Sequence, residues 1–292
     1  MSDTQFRPRR SVLYMPSSNV RALEKAKAIP CDGIIFDLED AVAPDAKPAA
    51  REAACAAVRS GEYGRRELII RVNGMDTQWH LEDMKSACAA GPDAIAVPKV
   101  STARQVLDLV QELETYGAPA RTTLWAMVET PIAMLNVHDI ASASAKLSVL
   151  VMGTNDLVKE LYAEHVPGRA PVQTGLQLCL LGARAAGKAI IDGVYNNVKD
   201  PDGFEAECVQ GRQWGFDGKT LIHPGQVEPA NVAFAPSPAA VEEAQGILQA
   251  WEDGKGSGVV TYNGKMIENL HVESAQRILT MHAAIRALET DA

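Results

Sequence analysis

The sequence predicts an α/β protein, a (β/α)8 TIM barrel with a small C-terminal lid or oligomerisation segment, and three observations predict it. Eight short apolar runs alternate with helical patterns, the signature of parallel strands joined by right-handed crossovers. Eight is the number of strands that closes such a sheet into a barrel. Every run also ends in a residue with chemistry: Ser17, Asp37 with Glu39, Arg71, Lys99, Glu129, Asp156, Asp192 and His223. An open doubly wound sheet is the alternative, but closure brings all eight ends to one rim.

The elements follow in order. Residues 11–15 are apolar and are closed by Pro16, Ser17 and Ser18, after which Asn19 caps a helix carrying Val20, Leu23 and Ala26. Residues 33–37 give the second strand, and the alanine-rich stretch 48–59 supplies a helix by intrinsic propensity. Residues 68–72 form the third, followed by Asn73, Gly74 and a helix around 81–89. The fourth, 94–97, ends at Pro98 and Lys99; Ser101 or Thr102 then caps a helix with Val106, Leu109, Val110 and Leu113 on one stripe. After the fifth, 124–128, Pro131 suits the first position of a helix. The sixth, 147–152, stops abruptly at Gly153 and delivers Asn155 and Asp156, with an insertion at 157–171 and a helix through Leu176, Leu180 and Ala183. Residues 189–191 and 219–222 complete the set. A helix over 239–251 is expected to finish the barrel, the Gly-rich 254–258 reads as a flexible connector, and a helix from about 272 to 288 belongs to an appendage. The expected division is 1–236 for the barrel core and 237–292 for the closing helix and lid.

A chain of 292 residues with 47% hydrophobic content buries a large core in one domain with an appendage. Its 28 Lys and Arg against 37 Asp and Glu, a net charge of -9, argue against a nucleic-acid or anionic-membrane surface. No apolar run approaches the roughly 18 residues of a membrane span, and the polar N-terminus has no apolar leader, so a soluble cytoplasmic protein is expected. Five dispersed cysteines without a C-x-x-C pair fit buried reduced thiols.

Glu129 and Asp156 end neighbouring strands, and two carboxylates with open coordination are how Mg²⁺ is usually held. Taken singly, Asp156 reads equally as a helix cap and Glu129 as a solvent carboxylate. Asp37-Leu-Glu-Asp40 adds acceptors to the same rim, either as partners of metal-bound water or as a surface turn. Arg71 ends an apolar strand and needs an anion, which is a substrate oxygen or a structural partner in Asp37 or Glu39. Lys99 is the alternative centre, a strand-end lysine suited to a Schiff base. His223 before Pro224 reads as structural. Arg10, Arg9 and Lys25 are cations able to meet a phosphate.

Several segments in this order carry a likeness: 10–16, 36–42, Arg71-Val-Asn-Gly74, Val97-Pro-Lys99, Val128-Glu129, Gly153-Thr-Asn-Asp156, 215–224 and 263–268. Over nearly its full length the chain resembles the CitE-like and malyl-CoA lyase group, which includes citrate lyase β subunits and citramalyl-CoA lyases, within the HpcH/HpaI aldolase superfamily. The resemblance implies Mg²⁺, with Mn²⁺ as a substitute, on Glu129 and Asp156, with Asp37 and Glu39 behind the metal's waters. It implies Arg71 beside the reacting carbonyl and CoA over the rim near Arg10 and Lys25. The implied reaction is retro-Claisen cleavage of a malyl-CoA or citramalyl-CoA type 3-hydroxyacyl-CoA into a 2-oxo acid (glyoxylate or pyruvate) and an acyl-CoA. A homo-oligomer, trimer or hexamer, is implied by a lid that serves a neighbouring subunit. That lid commonly carries Asp as acid/base, where this chain has Glu268. A second departure is the bulkier Val158-Lys-Glu-Leu-Tyr162 after Asp156, expected to border the oxo acid. Two other activities are to be distinguished: a class II aldolase of free hydroxy-oxo acids, and a citrate lyase β-type subunit acting on an acyl carrier protein thioester.

Overall fold

The computed structural model describes residues 6–254 and 259–289; residues 255–258 of the expected connector lie outside them. In chain order the first half comprises β1 (Ser11–Pro16), α1 (Val20–Ala26), β2 (Gly33–Asp37), α2 (Lys47–Ser60), β3 (Glu67–Arg71), α3 (His80–Ala90), β4 (Ala94–Val97) and α4 (Ala103–Thr115). Then come β5 (Thr123–Val128), α5 (Pro131–Leu135), α6 (Val137–Ser142), β6 (Leu147–Met152), α7 (Thr154–Glu160), α8 (Gln173–Ala185), β7 (Ala189–Asp192), α9 (Pro201–Trp214), β8 (Gly218–Leu221) and α10 (Val227–Phe234). The first eight strands are parallel and close into a barrel, with β8 pairing back onto β1.

Side chains alternate across each strand, and this sorts the apolar residues into two cores. Val12, Ile35, Ile69, Ala96, Trp125, Met127, Val149, Val151 and Ile191 fill the barrel interior. Their neighbours, among them Ile34, Phe36, Ile70, Ile95, Leu150, Ile190 and Leu221, pack outward under the helices. The same alternation decides which charged residues reach the mouth. Tyr14, Asp37, Arg71 and Glu129 share the parity of the inner residues, whereas Asp192 and Lys219 share that of the outer ones.

The helices start and stop as local chemistry dictates. Thr102 and Gln105 form a capping box on α4, Thr130 caps α5 with Pro131 in its first turn, and Gly61 and Gly91 end α2 and α3 in left-handed conformations. The floor of the barrel is pinned by ion pairs: Arg9 to Glu67 at 2.6 Å and Arg10 to Asp32 at 2.9 Å, with the Arg9 guanidinium over the Trp125 ring. All five cysteines are buried and unpaired. Among the described residues no helix is long and apolar enough to cross a membrane.

Arg9–Phe234 forms one compact unit, and the described parts of 1–8 and 235–292 form another. The helix expected to finish the barrel, α11 (Pro238–Asp253), belongs to this second unit; α10 is the helix that packs on β8 and β1. In the second unit β9 (Val260–Tyr262) and β10 (Lys265–Ile267) form a hairpin turning through Asn263 and Gly264, both at positive φ, the requirement of a tight two-residue turn. α11 packs against α12 (Asn269–Glu289), and Glu268 is exposed at the exit of the hairpin.

Gly218 is the tightest point of the closure, since a methyl group there would overlap the backbone carbonyls of Arg9 and Arg10. Gly218→Ala is therefore expected to destabilise the fold by about 3 kcal/mol, because backbone and not a flexible side chain must move. A urea midpoint unchanged from the parent would refute this reading of the closure.

Candidate active site

Asp37 and Arg71 are paired in register across β2 and β3, so their inward side chains meet at the barrel mouth. The pairing is bidentate, Arg71 Nε to Asp37 Oδ1 at 2.6 Å and Nη2 to Oδ2 at 2.7 Å, and Nη1 reaches Glu39 Oε2 at 2.7 Å. The ion pair weighed for Arg71 from the sequence is therefore present. Burial opposes the Arg71 charge, but Asp37 and then Glu39 hold the guanidinium firmly protonated. Burial pushes Glu39 up to about 7 even with Arg71 beside it, because Asp40 and Asp37 crowd the same cation.

On the facing wall Glu129 ends β5 and is 98% buried, which leaves 2% of its surface exposed. Its Oε1 accepts a hydrogen bond from the Lys99 backbone N–H at 2.7 Å. Lys99 adopts a left-handed backbone, φ 56, a conformation that costs a non-glycine residue on the order of 1 kcal/mol and here aims its amide at Glu129. Gly153 at the end of β6 leaves the space Glu129 occupies, since a methyl group on it would collide with that carboxylate. Asp156 lies in the first turn of α7, with Lys99 Nζ 3.9 Å from its Oδ1. Burial first, then the charges of Glu39 and Asp156, push Glu129 up to about 8.

A buried carboxylate raised by neighbouring carboxylates marks a corner short of positive charge. Glu129 and Asp156 thus fit a hard divalent cation such as Mg²⁺. Among the described residues no group of three or more His, Cys, Asp or Glu side chains is arranged to enclose a metal. Burial works to lower the Lys99 ammonium, yet Asp156, Glu129, Glu39 and Asp40 together raise its pKa. A lysine held in its charged form is poorly suited to the Schiff-base alternative.

The remaining sequence candidates separate. Arg10 precedes β1 at the opposite end of the barrel and is buried against Asp32, through two side-chain bonds of 2.9 Å, so it does not reach the rim. Lys25 is exposed on α1. The His223 Nδ1 accepts from the Gly225 N–H at 3.0 Å, a local structural bond. Asp192 points outward from β7 into a buried cluster with Lys219, Glu207 and Arg169, where Lys219 Nζ lies 3.2 Å from Asp192 and 2.7 Å from Glu207. Of the bulky segment after Asp156, Leu157 and Val158 are buried, while Leu161 and Tyr162 face solvent.

Sequence reasoning missed two supports. Lys47 donates to the carbonyls of Leu38 and Glu39 and to Asn73 Oδ1, tying the loop after β2 to the loop after β3. A cavity of about 500 Å³ opens beside α7, lined by Thr154, Val158, Arg169, Val172, Tyr195 and Glu207. Neither has a short motif; both arise from packing between distant segments.

The model of the HpcH/HpaI aldolase/citrate lyase family matches residues 10–224. The chain belongs to this family. A second model, of carbon–carbon bond lyases of the TIM-barrel fold, matches residues 176–285. Among curated relatives, a (3S)-malyl-CoA thioesterase of Cereibacter sphaeroides is 50% identical over 97% of this chain and 98% of its own. The citrate lyase subunit beta of Leuconostoc mesenteroides subsp. cremoris is 34% identical over 98% and 97%. Among solved structures, CitE from Mycobacterium tuberculosis in complex with magnesium, acetoacetate and coenzyme A superposes with a TM-score of 0.75 at 26% identity, covering 94% of this chain and 98% of that one. This is a CitE-like enzyme of the carbon–carbon lyase superfamily with a (β/α)8 barrel, as the sequence motifs imply.

The outward cluster separates architecture from chemistry. Lys219→Met leaves Asp192 and Glu207 buried with one cation fewer, and breaking a buried charge network in this way costs about 3–5 kcal/mol. The loss is expected in chemical denaturation; a variant as stable as the parent would show the network to be dispensable.

Proposed function

We propose that this chain is a Mg²⁺-dependent enzyme of malyl-CoA-type thioesters, breaking the carbon–carbon bond beside the hydroxyl-bearing carbon by retro-Claisen chemistry. The products are a 2-oxo acid and an acyl-CoA. The observation that carries this reading is the carboxylate corner of Glu129 and Asp156 facing a fixed guanidinium, Arg71, at the mouth of the barrel. Magnesium and CoA bound to the related CitE support it, as do the malyl-CoA relatives at half identity.

Glu129 and Asp156 would hold the ion, which supplies Lewis-acid polarisation of the oxygens it chelates. Arg71, clamped by Asp37, presents a positive charge that needs no reorganisation when the thioester oxygen turns negative. Glu39, which titrates near neutrality, is matched to take up the hydroxyl proton as the bond breaks. Glu268, brought by a neighbouring subunit of a homo-oligomer, would return a proton to the enolate carbon; its extra methylene relative to Asp shifts that carboxyl by about 1 Å. Lys25, exposed on α1, would meet a CoA phosphate.

The 50% identity to (3S)-malyl-CoA thioesterases favours a second reading, in which water attacks the thioester carbonyl and CoA leaves, releasing the free hydroxy acid. Incubation with (3S)-malyl-CoA, citramalyl-CoA and Mg²⁺ separates the two: glyoxylate or pyruvate with acyl-CoA supports cleavage of the carbon skeleton, malate or citramalate with free CoA supports hydrolysis. Turnover only of a carrier-protein thioester would indicate a citrate lyase β-type role, and indifference to CoA a class II aldolase. Glu129→Gln is expected to lower turnover by on the order of a hundredfold or more, the equivalent of a few kcal/mol; an undiminished rate would sink the metal assignment.

Because burial keeps Glu129 protonated up to about pH 8, cation binding below that pH must displace a proton. Mg²⁺ affinity is expected to rise roughly tenfold per pH unit toward 8 and then level off, with close to one proton released per ion at pH 7. Calorimetry in buffers of different ionisation heat reads both quantities, and a pH-independent affinity between 6 and 9 would remove Glu129 from the ligand set.

A further inference from the structure

Tyr14 stands beside Arg71 on the inner face of the barrel, and the reaction just proposed assigns it nothing. It belongs to β1, shares the inward parity of Val12, and packs against the interior core while keeping part of its side chain open. The Arg71 guanidinium lies over its ring at 4.8 Å. Among the described residues the phenol oxygen makes one hydrogen bond, donating to Met127 Sδ at 4.0 Å. Arg71 Nη1 lies 4.0 Å from the same sulfur. A thioether is a weak acceptor, and two donors on two different strands converge on it.

Nη1 carries two N–H groups and also meets Glu39 Oε2 at 2.7 Å, so the donor it shares with Tyr14 toward the soft sulfur is its second one, and the two together have the form of an oxyanion hole. An oxygen placed between them would receive an O–H from β1 and a charged N–H from β3 at once, inside a mouth whose walls limit screening. The ring is already fixed by the guanidinium above it and by Met127, so the donor needs no reordering when charge develops. Burial, with Asp37, Glu129 and Glu39 nearby, disfavours the phenolate, so the group stays a donor throughout the working pH range.

We propose that Tyr14 Oη and Arg71 Nη1 together bind the thioester carbonyl oxygen of the substrate and stabilise the negative charge it gains. This makes Tyr14 a catalytic residue. It rests on the malyl-CoA-type reading of the site but not on which bond breaks. In retro-Claisen cleavage the electron pair of the broken carbon–carbon bond ends on that oxygen as an enolate; in hydrolysis the same oxygen carries the charge of the tetrahedral adduct. Tyr14 itself keeps its proton in both and forms no bond.

Tyr14→Phe removes the hydroxyl and keeps the ring under Arg71. The expected result with (3S)-malyl-CoA is a kcat lower by on the order of a hundredfold, with KM and melting temperature within the parent's range. A kcat equal to the parent's overturns the proposal. A second measurement does not depend on turnover: in protein labelled with ring-¹³C tyrosine, the Tyr14 resonance, assigned by its loss in Tyr14→Phe, is expected to shift on addition of acetyl-CoA. Binding of acetyl-CoA with an unmoved Tyr14 resonance overturns the oxyanion role alone. A chain that neither turns over malyl-CoA nor binds acetyl-CoA overturns the function reading and this proposal with it.

Discussion

The Asp37–Arg71 pair is the interaction on which the mouth of the barrel depends. A guanidinium inside a barrel is expensive to desolvate, and a bidentate carboxylate on the adjacent strand, with Glu39 on the remaining nitrogen, makes its burial tolerable. Once that pair is fixed, Glu39 and Tyr14 have places defined against Arg71, and the loops after β2 and β3 are held together by Lys47 from behind. The arrangement is preorganised: the charge that would meet substrate is held by the fold before any ligand arrives.

The facing wall works with opposite electrostatics. Glu129 is buried next to Asp156 and within the field of Glu39, so carboxylates outnumber the cations available to them. Such a corner favours the protonated form of Glu129 at neutral pH and would gain from a cation. The backbone contributes as much as the side chains here: the left-handed turn at Lys99 supplies the amide that orients Glu129, and the bare Cα of Gly153 supplies its room.

Much of this was legible in the sequence, and the reasons differ by residue. Eight apolar runs gave the barrel because each strand is short and bounded by turn residues, and Glu129, Asp156, Asp37 and Arg71 were legible because strand ends meet at one rim. Asp192 was misjudged as one of them: one residue beyond Ile191, it has the outward parity, and counting alternation from the inner residues would have turned it away from the mouth. Arg10 was misjudged by the complementary argument, since a residue before a strand lies at the floor and not the rim. Tyr14, Lys47 and the cavity beside α7 depend on contacts between segments far apart in sequence, which no local pattern encodes.

The segment after β6 has two halves with different freedom. Gly153 is filled by Glu129, Thr154 presses on Gly193, and Leu157 and Val158 are buried, so each of these positions is answerable to a neighbour. From Lys159 to Tyr162 the chain turns to water, and Tyr162 is 97% exposed. Mutational drift is therefore partitioned along a single helix. Its first turns are closed to change without loss of the corner, while its last turn is an open frontier on which descendants of this chain could acquire new surface chemistry at little cost to the old reaction.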